Sequence, residues 1–370
     1  MMIEQGDIGL ENLKSAKVFN NEFGYTRKIN DDGTENIVIL PSPFLEDLID
    51  LHNAKEKIGY ESNLLLHSKS AVSIKHRTAM LNSVYNSFKV LIEEKNSDIN
   101  KWLTLQTLYL DMVTKLGAIL EDFAGMCYAC EQFNLHKSDI AKSFLGYSDP
   151  RSFYSSFSGR GGKRKIKQIF NLPASRGELQ KIFNTLDGTE LLLLEKSIKA
   201  TTDLIFDNII HISSAIIQNQ PDDVTYYDMY NKIKHGFSPI YPFMFPLAVP
   251  IQIEEAGTPI EGIISEYFFE SVSIMHNKLP GQRTEDDNTG DEQQKNVVPT
   301  ITYQSINLET AQQIINVASD IEVLYIYLVN RYLAIAEEDK KLSLLISDDY
   351  LTLEERDKVK LIIEDETRYI

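Results

Sequence analysis

Residues 101–132, KWLTLQTLYLDMVTKLGAILEDFAGMCYACEQ, contain the clearest helical pattern in the chain. Their apolar side chains recur every three or four residues, which places them on one face of a helix. That face is formed by Leu105, Leu108, Met112, Leu116, Ile119 and Phe123. A second seam with the same spacing runs through Leu191, Leu194, Ile198, Ile205, Ile209, Ile212 and Ile216. Because both helices span many turns, we expect them to pack antiparallel in a bundle.

Similar patterns elsewhere predict a mainly α-helical chain. Further helices are predicted at residues 44–57, 70–94 and 307–338, and after Thr352. Four β-like stretches remain, at residues 37–40, 243–254, 259–271 and 300–306. Most of these strands follow residue 238, and a turn at residues 256–258 joins two of them. The sequence therefore predicts an antiparallel helical bundle with a small β-hairpin insertion after residue 238.

Changes in composition divide the chain into four regions. Residues 279–297 are rich in Asp, Glu, Gln, Asn and Gly, which predicts a mobile loop there. The four regions are an N-terminal mixed region at residues 1–60, a helical bundle at 61–237 with a basic loop at 137–187, the β-hairpin insertion at 238–306, and C-terminal helices at 307–370 that pack on the bundle.

The charge balance restricts the ligands that the surface can attract. The chain has 37 basic and 54 acidic residues, which gives a net charge of −17. A surface this negative repels phosphate backbones and anionic lipids at long range, and it also favours solubility. A contact with nucleic acid would therefore need a local basic patch.

The sequence predicts a cytoplasmic protein without a membrane partner. No apolar run is long enough to span a bilayer. The first ten residues contain Glu4 and Asp7 and lack the apolar core of a signal peptide. Two cysteines are too few to staple a chain of 370 residues, which excludes a secreted disulfide scaffold.

The two cysteines, Cys127 and Cys130, lie three residues apart on the first predicted helix. A pair at this spacing can supply half of a zinc site or act as a redox couple. Only His136 lies nearby as a further zinc ligand, and a redox pair normally follows a strand. We interpret both as reduced, buried core residues, and we predict neither a metal nor another cofactor.

One dense positive cluster lies in the predicted basic loop. It comprises Arg160, Lys163, Arg164, Lys165 and Lys167. Glycines at positions 159, 161 and 162 would let backbone N–H groups approach a phosphate. The segment is not a P-loop, because Phe157 stands where the first glycine should be and Arg164 replaces the Ser or Thr. It is either a flexible solvated loop or a contact for an anion or RNA.

A short helix is predicted to begin at Pro221 and Asp222 and to end at Gly236, before Pro239. Its apolar side is formed by Tyr226, Tyr230 and Ile233, and a polar stripe of Tyr227, Asn231 and His235 lies beside it, flanked by Lys232 and Lys234. A neutral imidazole can take a 2′-hydroxyl proton from RNA while amide and ammonium groups steady the phosphate. Alternatively, the cations complement the helix dipole and the other groups only pack.

Residues 230–236, YNKIKHG, resemble the end of the motif helix in HEPN-like proteins. Long amphipathic helices precede this string, and one of them carries Glu121 and Asp122. The resemblance implies an α-helical bundle that is commonly dimeric. Many members are metal-independent ribonucleases or RNA-binding modules of toxin–antitoxin and antiviral defence systems. Asn231 and His235 match the pattern of the family.

The chain departs from the family at one position. The family has an arginine with four to six residues between it and the histidine, and here Tyr230, Met229 and Asp228 occupy those positions. Only Lys232 or Lys234 could replace it, and an ammonium lacks the planar fork of a guanidinium.

Two functions follow from these patterns. The first is a non-catalytic or weakly catalytic helical module that binds RNA or a protein partner, forms a homo-oligomer and belongs to a defence system. The second is a metal-independent HEPN-type ribonuclease. In it, His235 is the general acid and base, Asn231 orients the substrate, and Lys232 or Lys234 contacts the phosphate.

Overall fold

A computed structural model describes residues 13–18, 21–29, 35–41, 58–95, 99–159, 161–217, 224–235, 271–277, 299–336, 341–347 and 350–370. The strands are β1 (Leu13–Val18), β2 (Asn21–Ile29), β3 (Glu35–Pro41), β4 (Ser271–Asn277) and β5 (Pro299–Ser305). The helices of the first half are α1 (Tyr60–Ser68), α2 (Ile74–Glu93), α3 (Ile99–His136), α4 (Ile140–Leu145), α5 (Pro150–Ser155), α6 (Gly162–Ile169) and α7 (Arg176–Ile182). Those of the second half are α8 (Gly188–Ser213), α9 (Tyr226–Lys234), α10 (Leu308–Ala336) and α11 (Leu353–Glu364).

The predicted fold class is confirmed, because the chain is a mainly α-helical bundle with a β-hairpin after residue 238. Helix α3 lies at its centre, where α2, α9 and α10 pack against it. The predicted seam of α3 is buried except for the half-buried Leu108. The predicted seam of α8 is buried along its whole length. Helices α6 and α10 each contact both α8 and α3, and so connect these two long helices.

The segment at residues 137–187 is not the loop that its composition predicts. It folds into four short helices, α4 to α7, of which three begin at side chains that accept a backbone N–H bond. These caps are Asp139, Asp149 and Ser175. Apolar residues between the polar ones are buried, as Ile166 and Ile169 of α6 show. Capping together with a few buried side chains is sufficient to hold short helices on a larger core.

Other helix boundaries differ from prediction for local reasons. The helix predicted at 70–94 begins ten residues earlier, because α1 continues through a π-helical turn, Lys69–Ser73, into α2. Helix α9 begins at Tyr226 and not at Asp222. Thr225 accepts a bond from the N–H of Asp228, and the Asp228 carboxylate accepts one from the N–H of Thr225.

The described β-structure agrees with prediction in part: β3 and β5 cover predicted strands, whereas β4 begins at Ser271, where the strand predicted at 259–271 ends. The predicted strand at 300–306 is β5, which pairs antiparallel with β4 from Ser271↔Ser305 to Asn277↔Pro299. The strand at 37–40 lies within β3, which pairs with β2 in a three-stranded sheet whose first two strands were not predicted. The predictions at residues 44–57, 243–258, 259–270 and 279–297 lie outside the described residues.

Candidate functional site

The basic helix α6 is held tightly against the bundle. A Cβ atom on Gly162 would lie 2.7 Å from a ring carbon of Phe206 and 2.9 Å from the carbonyl oxygen of Phe157, so only glycine fits at this position. One turn further on, Ile166 is fully buried. The lysines and the arginine of α6 therefore lie on the parts of the helix that do not face the core.

The C-terminal end of α6 is fixed by side chains of α10. The Arg331 guanidinium, which is buried, donates to the carbonyl oxygens of Phe170 at 3.2 Å and Asn171 at 2.6 Å. The Tyr332 hydroxyl donates to the carbonyl of Ile169 at 2.7 Å. Asn171 adopts a left-handed backbone conformation, with φ 49°. These bonds satisfy carbonyls that a helix end leaves open.

The outer face of α6 borders an open cleft of about 680 Å³, which we call the basic cleft. Its lining contains four cations, Lys137, Lys163, Arg164 and Lys167, and one carboxylate, Glu178. Three of the cations come from α6, because positions 163, 164 and 167 share one face of a helix. The fourth, Lys137, follows the last residue of α3, where its backbone is left-handed with φ 55°.

Among the described residues, most of these cations have no acidic partner. Within the described ranges, Lys137, Arg164 and Lys167 form no ion pair, whereas the Nζ atom of Lys163 lies 2.7 Å from Oδ1 of Asp203. The Glu178 carboxylate accepts a bond from the Ala174 N–H at 2.7 Å. The cleft is therefore an electropositive surface on a chain of strongly negative net charge.

Lys165 belongs to the other side of α6. Its Nζ atom lies 2.7 Å from Oγ of Ser156 and 3.6 Å from Oε2 of Glu131, above the rings of Phe153 and Phe157. Burial raises the pKa of Glu131, and the nearby Lys165 ammonium partly opposes that shift. The predicted cluster is thus divided, since Lys165 faces α3 and not the cleft. The remaining member, Arg160, lies outside the described residues.

The polar groups of α9 converge on one carboxylate of α3. Glu121 accepts bonds from the hydroxyls of Tyr227 at 3.1 Å and Tyr230 at 3.0 Å, and the Nζ atom of Lys234 lies 2.7 Å from it. The bond to Glu121 raises the pKa of Lys234. We call this group the Glu121 latch. It forms because Gly117 admits the Tyr230 ring: a Cβ atom at position 117 would lie 2.0 Å from the ring.

The residues of the predicted polar stripe differ in their exposure to solvent. Tyr227 is buried, and both burial and Glu121 raise the pKa of its hydroxyl, while a hydrogen bond with Asn231 lowers it. Asn231 and Lys232 are half-buried, and His235 is exposed at the C-cap of α9. Tyr227 is therefore a packing residue and not part of an exposed stripe. The predicted stop at Gly236 and Pro239 lies outside the described residues.

An arginine that the sequence pattern did not indicate approaches α9 from α5. Arg151 pairs with Asp228, which occupies one of the positions of the family's arginine. Because Arg151 and Asp228 are 77 residues apart, no local pattern could indicate the contact. The guanidinium is bound to a carboxylate and lies at the opposite end of α9 from His235.

The interpretation of the cysteines as core residues is confirmed. Cys127 and Cys130 are free and fully buried, and burial raises the pKa of each thiol. Nowhere among the described residues do three His, Cys, Asp or Glu side chains group in a way that could hold a metal ion. In the same ranges, none of the helices combines the length and the apolar content needed to cross a bilayer.

Two cation-bearing regions thus stand out, the basic cleft and the Glu121 latch, and they differ in what their cations contact. Comparison of the chain with protein-family models, with curated proteins and with solved structures finds no match.

Proposed function

We propose that the chain is a helical RNA-binding module without turnover of its own, and that the basic cleft is its RNA-binding surface. The observation that carries the proposal is the set of four cations around one open cleft of about 680 Å³. Phosphate contacts supply most of the non-specific affinity of proteins for nucleic acid. On a chain with a net charge of −17, such a surface needs a local excess of cations, and the cleft has one.

The arrangement of α9 argues against catalysis as the main activity. Lys234, one of the two lysines that could replace the family's arginine, is bound to Glu121 at 2.7 Å. Arg151 is bound to Asp228. His235 is exposed, but efficient cleavage also needs donors that stabilise the charge developing on the phosphate, and Lys234 and Arg151 are already bound to carboxylates. A binding module fits this arrangement better than a ribonuclease.

Binding of a labelled single-stranded RNA at low salt tests the proposal. The variant carries Lys163→Gln, Arg164→Gln and Lys167→Gln, and the matched control carries Lys196→Gln, Lys358→Gln and Lys360→Gln on α8 and α11. Both lose three positive charges. The cleft variant is expected to bind at least about tenfold more weakly, and its plot of log K against log salt to flatten by about 2, since each single-strand phosphate contact contributes about 0.7.

Equal losses in both triple variants would mean that only net charge matters, and the cleft would not be the site. The absence of any RNA binding by the unaltered protein would leave a protein partner as the ligand of this surface.

A second assay separates the module from the ribonuclease. The unaltered protein is incubated with labelled RNA and a metal chelator, and the expected result is intact RNA. Cleavage that is lost in His235→Ala but kept in His211→Ala, an exposed histidine of α8, would overturn the claim of no turnover and would support the HEPN-type ribonuclease.

A further inference from the structure

A second cavity adjoins the basic cleft. This neighbouring cavity has a volume of about 320 Å³ and lies between α7, α10 and the segment at residues 341–347. Asn171, Leu172 and Glu178 line both cavities, so the two lie side by side on one surface. We call the combined surface the phosphate track.

The second cavity adds cations of its own. Lys181 comes from the last turn of α7, and Lys341 precedes the buried Leu342. In the described residues Lys181 forms no ion pair, while Lys341 lies 2.5 Å from Glu366. Arg331 also lines this cavity, but its guanidinium is bound to carbonyls of Phe170 and Asn171. Among the described residues that line the two cavities, Glu178 is the one carboxylate.

The size and composition of the track indicate which form of RNA it accepts. Its larger cavity, about 680 Å³, has the volume of a site for a small-molecule ligand, so it cannot enclose a duplex. None of the described residues that line the two cavities is aromatic. Proteins that stack bases use aromatic side chains, so here the contacts would go to the backbone and not to the bases.

We infer that the ligand is an extended single RNA strand that runs from Lys137 to Lys341 along the phosphate track and is held by its phosphates without base stacking. This inference rests on the proposed function and adds the form of the ligand and its path. It predicts affinity that grows with strand length, depends steeply on salt, and is nearly the same for uridine-rich and adenine-rich strands.

Strand length gives the test. Oligonucleotides of about three and about twelve nucleotides bracket the length that one such groove binds. The double variant Lys181→Gln, Lys341→Gln is expected to bind the long strand on the order of tenfold more weakly. Its affinity for the short strand should not change. The triple variant of α6 should weaken both, and the control pair Lys196→Gln with Lys358→Gln should weaken neither.

The outcomes separate this inference from the proposed function. One outcome is that the α6 variant binds both strands more weakly while the Lys181–Lys341 variant binds both as well as the unaltered protein. The proposed function would then hold, and the inferred path of the strand would be wrong. If neither strand binds the unaltered protein, both fall. A duplex of equal length that competes as well as the single strand would also overturn the inference.

A change of opposite sign provides an independent check. Glu178→Gln removes the carboxylate from the middle of the track, while the amide oxygen can still accept the Ala174 N–H bond. Binding of the long strand is expected to tighten several-fold, because a repulsive charge between two sets of cations is lost. Glu195→Gln on α8, outside the track, should not tighten it. Unchanged or weaker binding in Glu178→Gln would contradict the path.

Discussion

Helices α6 and α9 are similar in length and both carry lysines, yet the outer cations of α6 and Lys234 of α9 have different surroundings. In α9, Lys234 is bound to Glu121, and two tyrosines share the same carboxylate. In α6, Arg164 and Lys167 face an open cleft without an acidic partner in the described residues. The comparison teaches that cations near polar groups do not identify a ligand site. What distinguishes Arg164 and Lys167 from Lys234 is that no helix among the described residues supplies them with a carboxylate.

Replacing Gly117 gives the largest expected effect and tests the latch. In Gly117→Ala the new methyl group would lie 2.0 Å from Cγ of Tyr230, so α9 must move away from α3. Overpacking of this kind costs about 3 kcal/mol of unfolding free energy. Urea denaturation measures the loss, and hydrogen exchange should show faster exchange in α9 than in α6.

Gly125→Ala is the matched control on the same helix. Its Cβ atom would lie 3.3 Å from the Phe144 ring, a contact that the ring can relieve, and alanine gains about 1 kcal/mol over glycine in a helix. A Gly117→Ala protein as stable as Gly125→Ala would show that α9 does not dock on α3 through Tyr230.

Periodic and local signals explain the part of the fold that the sequence could predict. The apolar spacing of α3 and α8 identified buried seams, because a helix repeats every 3.6 residues whatever packs against it. Thr352 marked the start of α11, since a capping side chain acts on N–H groups two or three residues away.

Helix α6 shows where such signals fail. Its glycines and lysines have a loop-like composition, and only two apolar residues, Ile166 and Ile169, indicate the face that becomes buried. Its stability comes from Phe206, Arg331 and Tyr332, which lie far away in the chain.

The candidate sites were predictable only in part. The lysines of α6 were visible as a cluster, but Lys137 joins them only because α3 ends beside α6. In the same way, the polar stripe of α9 resembled a ligand site because its partner could not be seen in the sequence. Glu121, which binds Lys234, is 113 residues away along the chain. Contacts between distant parts of the chain leave no local pattern.

Neutralising Glu121 is expected to lower the free energy of unfolding by an intermediate amount. Glu121→Gln keeps a hydrogen-bond acceptor for one tyrosine but loses the charge that holds Lys234, whose side chain is 45% exposed and therefore screened. We expect a loss of about 1 to 2 kcal/mol in urea denaturation, and unchanged RNA affinity at the basic cleft. The matched control is Glu354→Gln, which breaks the exposed pair with Lys358 and should leave stability unchanged. Equal effects in the two variants would mean that the latch contributes no more than a surface ion pair.

The smallest expected change in the free energy of unfolding concerns the inner face of α6. There the Nζ atom of Lys165 lies 3.6 Å from Oε2 of Glu131 on α3, a lysine–glutamate contact like that of Lys234 with Glu121. Burial raises the pKa of Glu131 above its ordinary value of 4.5. The folded state therefore binds this proton more tightly than the unfolded state, so the favourable contribution is present below the unfolded pKa and is lost as the pH rises through the folded pKa.

At neutral pH the ionised Glu131 consequently costs stability. Glu131→Gln is expected to raise the unfolding free energy by less than about 1 kcal/mol there, and the gain should disappear as the pH falls towards 4.5. Urea denaturation across this range measures it, with Glu195→Gln, which loses an exposed pair with Arg176, as a control that should show no gain. A loss of stability at neutral pH would mean that the Lys165 pair outweighs burial. In that case α6 would be held by its inner lysine in the same way as α9, and only its outer cations would distinguish the two helices.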